Sequence, residues 1–167
     1  FKYIAHLGRH SKEKRIEDLI HSFSNVSRID NKLRLILIGE GPETNNLRNL
    51  IKRMGISDKV TLTGFQQNPY PLLKKVKLLV LCSEREGLPT VLIEALSLET
   101  GVISSNCLSG PYEIFREKLD QYVFEIGNIE EMSSLILINT REESLPEKQL
   151  LMDVRLRYSK ETITERY

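Results

Sequence analysis

Two glutamates, Glu86 and Glu94, flank the stretch Gly87-Leu88-Pro89-Thr90-Val91-Leu92-Ile93. Carboxylates so placed accept hydrogen bonds from vicinal hydroxyls of the kind that a ribose or a hexose presents. Glu86 precedes the proline and can reach into a cleft, whereas Glu94 projects from the second turn of the helix that the proline opens. The plain alternative makes Glu86 a loop residue near a positive helix end and Glu94 a solvated charge. A cationic group lies earlier in the chain, where Arg9 and Lys14 bracket the basic loop Arg9-His10-Ser11-Lys12-Glu13-Lys14-Arg15. A pyrophosphate carries more charge than one helix terminus offsets, and an arginine fork with a lysine point charge supplies the rest. Lysines and arginines in loops are, however, more often plain solvated charges, and the cluster Lys74, Lys75 and Lys77 is expected to be a solvated face. His6, His10 and His21 have neither metal-ligand spacing nor an acid-nucleophile arrangement. His6 and His21 therefore read as structural or surface residues, and His10 stays open because it lies within the basic loop.

These groups need elements that carry them to one place. Residues 78–82 are short, apolar and bounded by polar turn residues, as a buried parallel strand should be. Pro89 suits a first helical position, and Val91, Leu92, Ala95 and Leu96 form an apolar stripe at helical spacing. The turn at 86–89 thus sits at a strand's carboxyl end and a helix's amino end, where open α/β sheets bind ligands and free N–H groups favour anions. Residues 2–7 read as a first strand ending at Gly8, followed by a helix with Ile16, Leu19, Ile20 and Phe23 on one face. A second strand, 33–38, runs into Gly39-Glu40-Gly41-Pro42 and a helix bearing Leu47, Leu50, Ile51 and Met54, closed by Gly55. Residues 60–63 form a third strand stopped by Gly64, then a loop from Phe65 to Pro69 and a brief helix over 70–75. Residues 102–105 and 121–125 read as further strands, with a loop over 106–111 and a helix near 112–116 between them. From Ile129 the pattern is helical (Met132, Leu135, Ile136, Ile138, then 150–156 and a final segment capped by Ser159), interrupted by a polar connection between Thr140 and Glu147. The repeated β-α order predicts an α/β, doubly wound, Rossmann-like parallel sheet of about six strands with helices on both faces, in one domain over residues 1–167.

Composition narrows the function classes. With 24 basic against 23 acidic residues the formal net charge is +1, so bulk electrostatics gives no reason to expect nucleic acid or strong membrane attraction. Cys82 and Cys107 form no metal-ligand pattern and fit reduced, buried thiols of a cytosolic protein. Neither Gly39-Glu40-Gly41 nor Gly8-Arg9 completes a dinucleotide fingerprint, and there is no P-loop, which disfavours nicotinamide and P-loop chemistry. No apolar run of about 18 residues exists. The chain starts at Phe1 directly in a strand, which suggests a piece of a longer protein.

Taken together, these residues resemble the C-terminal, nucleotide-sugar-binding domain of the retaining family 4 glycosyltransferases of the GT-B type, over nearly the whole chain. Glu86 through Leu96 matches the family's Glu-x7-Glu signature, Gly8-Arg9 with Lys14 its phosphate-binding loop, Gly39-Glu40-Gly41-Pro42 its Gly-x-Gly-Pro turn, and residues 60–65 the strand that ends beside the base. The run from Ser105 to Ile114 is similar to a version in bacterial surface-polysaccharide enzymes. The resemblance implies that Gly8, Arg9 and Lys14 hold the diphosphate and that Glu86 binds hydroxyls of the donor hexose. It further implies that Glu94 takes the ribose, that the backbone at Phe65 and Gln66 meets the base, and that free amides near Leu88, Thr90 and Val91 contact phosphate or sugar. Electrostatic stabilisation of the departing diphosphate can replace a metal ion, so no cofactor metal is expected.

The implied activity is transfer of a hexose from a nucleotide-diphosphate sugar, UDP-sugar favoured, to a glycan or lipid-linked acceptor with retention, in bacterial surface polysaccharide or lipopolysaccharide synthesis. The acceptor side belongs to an N-terminal domain to which nothing in this chain corresponds, and the fragment alone is expected to be inactive. The implied setting is cytoplasmic, with peripheral association of the full-length enzyme at the inner membrane. A sugar-nucleotide epimerase of the same architecture and a non-catalytic flavodoxin-like binding module are the rival readings. One departure stands out: where the family has Gly-Thr-Pro after the motif helix, this chain has Glu99-Thr100-Gly101, with Gly101 a candidate to relieve the helix end one turn later.

Overall fold

The computed structural model describes residues 1–107, 110–116, 119–141 and 148–159. Six strands, β1 (Lys2–Leu7), β2 (Leu33–Ile38), β3 (Val60–Gly64), β4 (Leu78–Leu81), β5 (Gly101–Ser105) and β6 (Val123–Phe124), form one sheet in the order β3-β2-β1-β4-β5-β6. Every pairing of these strands is parallel. The crossovers are carried by α1 (Ile16–Ile29), α2 (Thr44–Arg53), α3 (Tyr70–Leu73), α4 (Thr90–Ser97), α5 (Gly110–Phe115) and α6 (Leu119–Tyr122), and the chain continues into α7 (Ile129–Asn139) and α8 (Lys148–Arg157).

Period-2 alternation sends each strand's side chains to two cores. Ile4, Leu33, Leu35, Leu37, Leu78, Val80 and Cys82 pack on the face covered by α1, α2 and α7. Ala5, Ile38, Leu79, Leu81 and Val102 pack on the face covered by α4, α5 and α8. Both faces are apolar because both are covered, which is why the strands read as continuous hydrophobic runs. No helix among the described residues is long and apolar enough to cross a membrane.

Several expected boundaries move. The last strand shortens to Val123–Phe124, and Gln121 and Tyr122 are helical: the Tyr122 ring stacks on Phe115 at 5.3 Å, which draws that segment onto the helical layer. The helix expected near 112–116 begins earlier, at Gly110. Pro89 stands immediately before α4, whose first residue is Thr90. Residues 142–147 of the polar connection, and the final segment beyond Ser159, lie outside the described residues.

Strand order reverses between β1 and β4, so the crevice outside their carboxyl ends is where a doubly wound sheet offers a binding site. The two strands part early there. β1 registers six residue pairs with β2 but only Ile4↔Leu78 and Ala5↔Leu79 with β4. Where the ladder stops, the buried His6 ring takes over, its Nδ1 donating to Val80 O at 3.1 Å. Because a carbonyl only accepts, that bond places the proton on Nδ1 and leaves Nε2 as an acceptor. Nε2 is buried with no partner among the described residues, 3.3 Å from where a Cβ on Gly8 would lie. Desolvation holds the ring neutral, pushing its pKa down to about 4.

Candidate functional site

The β1 end of the crevice is a loop clamped to its neighbours through backbone. Gly8 N–H donates to Ile38 O at 3.0 Å, His10 N–H to Glu40 O at 3.0 Å, and Glu43 N–H to His10 O at 2.9 Å. The clamp needs glycine at 39, where φ is 129° and a Cβ would fall 2.0 Å from Gly8 O. The Gly39-Glu40-Gly41 turn therefore serves as the surface on which the basic loop rests. Gly39 N–H in turn donates to Gly64 O at 3.0 Å, tying in the end of β3. His10, left open by the sequence, is a structural residue: it is fully buried, Nδ1 lies 3.0 Å from Thr44 Oγ1, and burial lowers its pKa.

A 3-10 turn (Lys12–Lys14) follows and leads into α1 through Arg15, at φ 47° in the left-handed region. Arg15 is held by Asp18 Oδ2 at 2.6 Å and Glu84 Oε1 at 2.8 Å. The turn is stitched to the loop after β4, where Glu84 N–H donates to Glu13 O at 2.8 Å and the Cys82 thiol to Lys14 O at 3.1 Å. Both cysteines are buried, as expected, and burial raises both thiol pKa values.

These stitches bring the central pair together. Lys14 Nζ meets Glu86 Oε1 at 2.7 Å, across 72 residues of sequence, with both side chains mostly shielded from solvent. The same oxygen accepts from Ser83 Oγ at 2.6 Å, and the Ser83 carbonyl accepts from Ser105 Oγ at 2.6 Å. Glu86 is thus neither a free loop charge nor a mere complement to a helix end. It is oriented from β4 and β5 and paired across the switch point. Ser83 was missed at the sequence level, although a hydroxyl three residues before a carboxylate on the same loop was the available signal.

The other candidates share this edge of the sheet without joining that pair. Arg9 is exposed on the loop after β1, and Glu94 is half-buried on α4, its carboxylate making no hydrogen bond or ion pair to a described residue. Phe65, after β3, is 76% exposed, an unusual placement for a phenyl ring, and Gln66 Nε2 donates to Thr63 O at 3.0 Å. Leu88 and Thr90 are exposed and Val91 half-buried. The Thr90 amide, expected to be free, donates to Leu88 O at 2.9 Å, because the turn closes on itself before α4 begins.

Two further residues shape the loop. Gly110, at the start of α5, is pressed against it so closely that a Cβ would lie 2.1 Å from Pro89 Cδ and 2.5 Å from Gly87 O. At the other end of α4, Glu99 itself takes the left-handed position at φ 63°. Glu99 N–H donates to Leu96 O and Thr100 N–H to Ala95 O, each at 2.9 Å, which is the Schellman pattern. Gly101 does not take that role. It opens β5, where a Cβ would approach Lys77 O at 2.8 Å.

The family profile described as "Glycosyl transferases group 1" matches residues 1–149. The chain belongs to the group 1 glycosyl transferases. Among its relatives, an uncharacterized glycosyltransferase of Methanocaldococcus jannaschii is 40% identical over 114 residues, covering 68% of this chain and 28% of the relative. An N-acetylgalactosamine-N,N'-diacetylbacillosaminyl-diphospho-undecaprenol 4-alpha-N-acetylgalactosaminyltransferase of Campylobacter jejuni is 33% identical over 127 residues, covering 76% and 34%. The crystal structure of a point mutant of S. aureus TarM in complex with Fondaparinux, alpha-GlcNAc-glycerol and UDP superposes with a TM-score of 0.87 at 26% identity, covering 98% of this chain and 34% of that one. The chain spans about a third of the length of the curated relatives it matches, and its sheet is of the GT-B type.

Proposed function

We propose that residues 1–167 are the donor-binding domain of a glycosyltransferase that moves a hexose, with retention, from a nucleotide-diphosphate sugar to a glycan or lipid-linked acceptor held by a second domain. The observation that carries this reading is the meeting of Lys14 and Glu86 at 2.7 Å across the β1–β4 crevice. It sets a cation suited to a diphosphate beside a carboxylate suited to sugar hydroxyls, at the ligand position of a doubly wound sheet.

In this reading Arg9 and Lys14 stabilise the charge that develops on the departing diphosphate, the role a metal ion plays elsewhere. Gly8 lets the loop backbone approach the phosphates. The Leu88 and Val91 amides face phosphate or sugar, and the Thr90 amide is withdrawn from that role by its bond to Leu88 O. Glu86, aligned by Ser83, accepts hydroxyls of the hexose, Glu94 accepts those of the ribose, and the exposed Phe65 with the Gln66 backbone borders the base. UDP is the favoured nucleotide, supported by the UDP in the TarM structure. The diphospho-undecaprenol in the Campylobacter relative's name supports a lipid-linked acceptor, and an Escherichia coli relative named as a lipopolysaccharide 1,6-galactosyltransferase supports bacterial surface polysaccharide or lipopolysaccharide synthesis; in this reading the full-length enzyme works peripherally at the cytoplasmic face of the inner membrane.

Calorimetric titration of the chain with UDP, GDP and their sugars tests the site. Arg9→Ala with Lys14→Ala should abolish measurable binding. Glu94→Ala should weaken it by about 1.5–3 kcal/mol, the loss expected for hydrogen bonds to a charged group. Unchanged affinity in both variants would return these residues to the surface and favour the binding-module reading.

A further inference from the structure

Lys14 and Glu86 are assigned opposite ends of one bond in the donor, yet without ligand they hold each other. A diphosphate that draws on the Lys14 ammonium must share it with Glu86 Oε1 at 2.7 Å, and that oxygen is held in the crevice by Ser83 Oγ at 2.6 Å. A carboxylate therefore remains beside the phosphate subsite whichever ligand arrives. Its effect on the ligand depends on what the terminal phosphate carries. In a nucleotide sugar that phosphate is esterified to the hexose, which caps one of its charges and brings hydroxyl donors to the carboxylate. In the spent nucleoside diphosphate the terminal phosphate is bonded only through the anhydride oxygen and carries about one further negative charge near neutral pH, and no hydroxyl lies between it and Glu86.

We infer that the Lys14–Glu86 pair discriminates between charged and spent nucleotide, disfavouring the nucleoside diphosphate product relative to the nucleotide sugar. The inference rests on the donor-site reading above. Glu86 then acts against the spent nucleotide in two ways: it competes for the Lys14 ammonium, and it repels the extra phosphate charge. Transfer of the hexose removes the hydroxyls that compensated the carboxylate, the ion pair closes again, and the product leaves.

The sign of this effect makes it testable, because removing a proposed binding residue should tighten one ligand. Binding of UDP, UDP-glucose and UDP-N-acetylglucosamine, with GDP and GDP-mannose in parallel, is measured at pH 7.5 for the unsubstituted chain and for Glu86→Gln. The variant is isosteric and keeps an acceptor oxygen. Glu86→Gln should bind the nucleoside diphosphate about three- to tenfold tighter, the range of a partly shielded ion pair, and bind the sugar-bearing form more weakly. In the unsubstituted chain, the 15N-detected Lys14 ammonium signal should shift when UDP is added. Should the variant fail to fold, an ammonium signal that does not respond to saturating UDP overturns the inference. Binding of nucleotides by the unsubstituted chain, with nucleoside diphosphate affinity unchanged or reduced in Glu86→Gln, overturns it while leaving the donor site standing. No binding of any nucleotide by the unsubstituted chain overturns both.

Discussion

The His6 ring at the head of the crevice predicts how stability depends on pH. Burial lowers its pKa from an ordinary 6.5 to about 4, with His10 and Lys14 acting in the same direction and Val80 O and Glu86 against it. The unfolded chain therefore takes up a proton on this ring as pH falls through 6.5, while the folded chain refuses it until about 4. The contribution is fully present above pH 7, is lost progressively between about 6.5 and 4, and flattens below, for a total of about 3 kcal/mol. His6→Phe keeps a planar ring, removes the titration and gives up the bond to Val80 O, which costs about 1 kcal/mol at neutral pH. Urea unfolding of both proteins at pH 7.5 and pH 4.2 gives the comparison. The unsubstituted chain should lose about 3 kcal/mol more than the variant over that interval. A common residual slope is expected from His10, which burial also lowers, and near the acid end from Asp30, lowered by its bond from the Lys32 amide and by Lys2. Parallel pH profiles for the two proteins, or a His6 ring that titrates near 6.5 by NMR, would refute the assignment of His6 as a buried neutral wedge.

Gly110→Ala should push the 87–89 turn outward, since the new methyl meets a proline ring and a backbone carbonyl, neither of which yields easily. Urea unfolding should show a loss of about 1–3 kcal/mol, and nucleotide affinity should fall with it. An affinity unchanged in the folded variant would show that the turn does not shape the site. Glu99→Gly should stabilise the protein by about 1 kcal/mol, because glycine adopts the left-handed Schellman position without a Cβ clash. The exposed pair between Glu99 and Arg155, at 3.1 Å, offsets little of that gain. A lower unfolding midpoint for this variant would sink the explanation.

Much of the scaffold was legible in the linear chain. Apolar runs at 33–38 and 78–81, helical stripes in α1, α2 and α4, and glycine turns after the strands all act over a few residues, where periodicity is a direct reading of which side faces a core. The departures lie where ring packing or the closing of a helix end overrides a residue's own preference. Tyr122 is drawn out of the sixth strand by Phe115, and Glu99 is held left-handed by the Schellman bonds that the rest of α4 demands. The site shows the same division. The cationic loop and the acidic motif were recognisable as separate groups with separate chemistry, but nothing in their spacing required them to meet.

By itself, then, the sequence determined the α/β class, the strand ends on which chemistry sits, and the residue types available there, because each follows from local pattern and side-chain pKa. Tertiary structure alone decided that β1 and β4 part after two residue pairs, that a buried histidine fills the fork, and that Lys14 reaches Glu86 across it. Those outcomes depend on strand order and on backbone-to-backbone approach at Gly39 and Gly110. Such distances are set by the closing of the whole sheet and have no local signature in the chain.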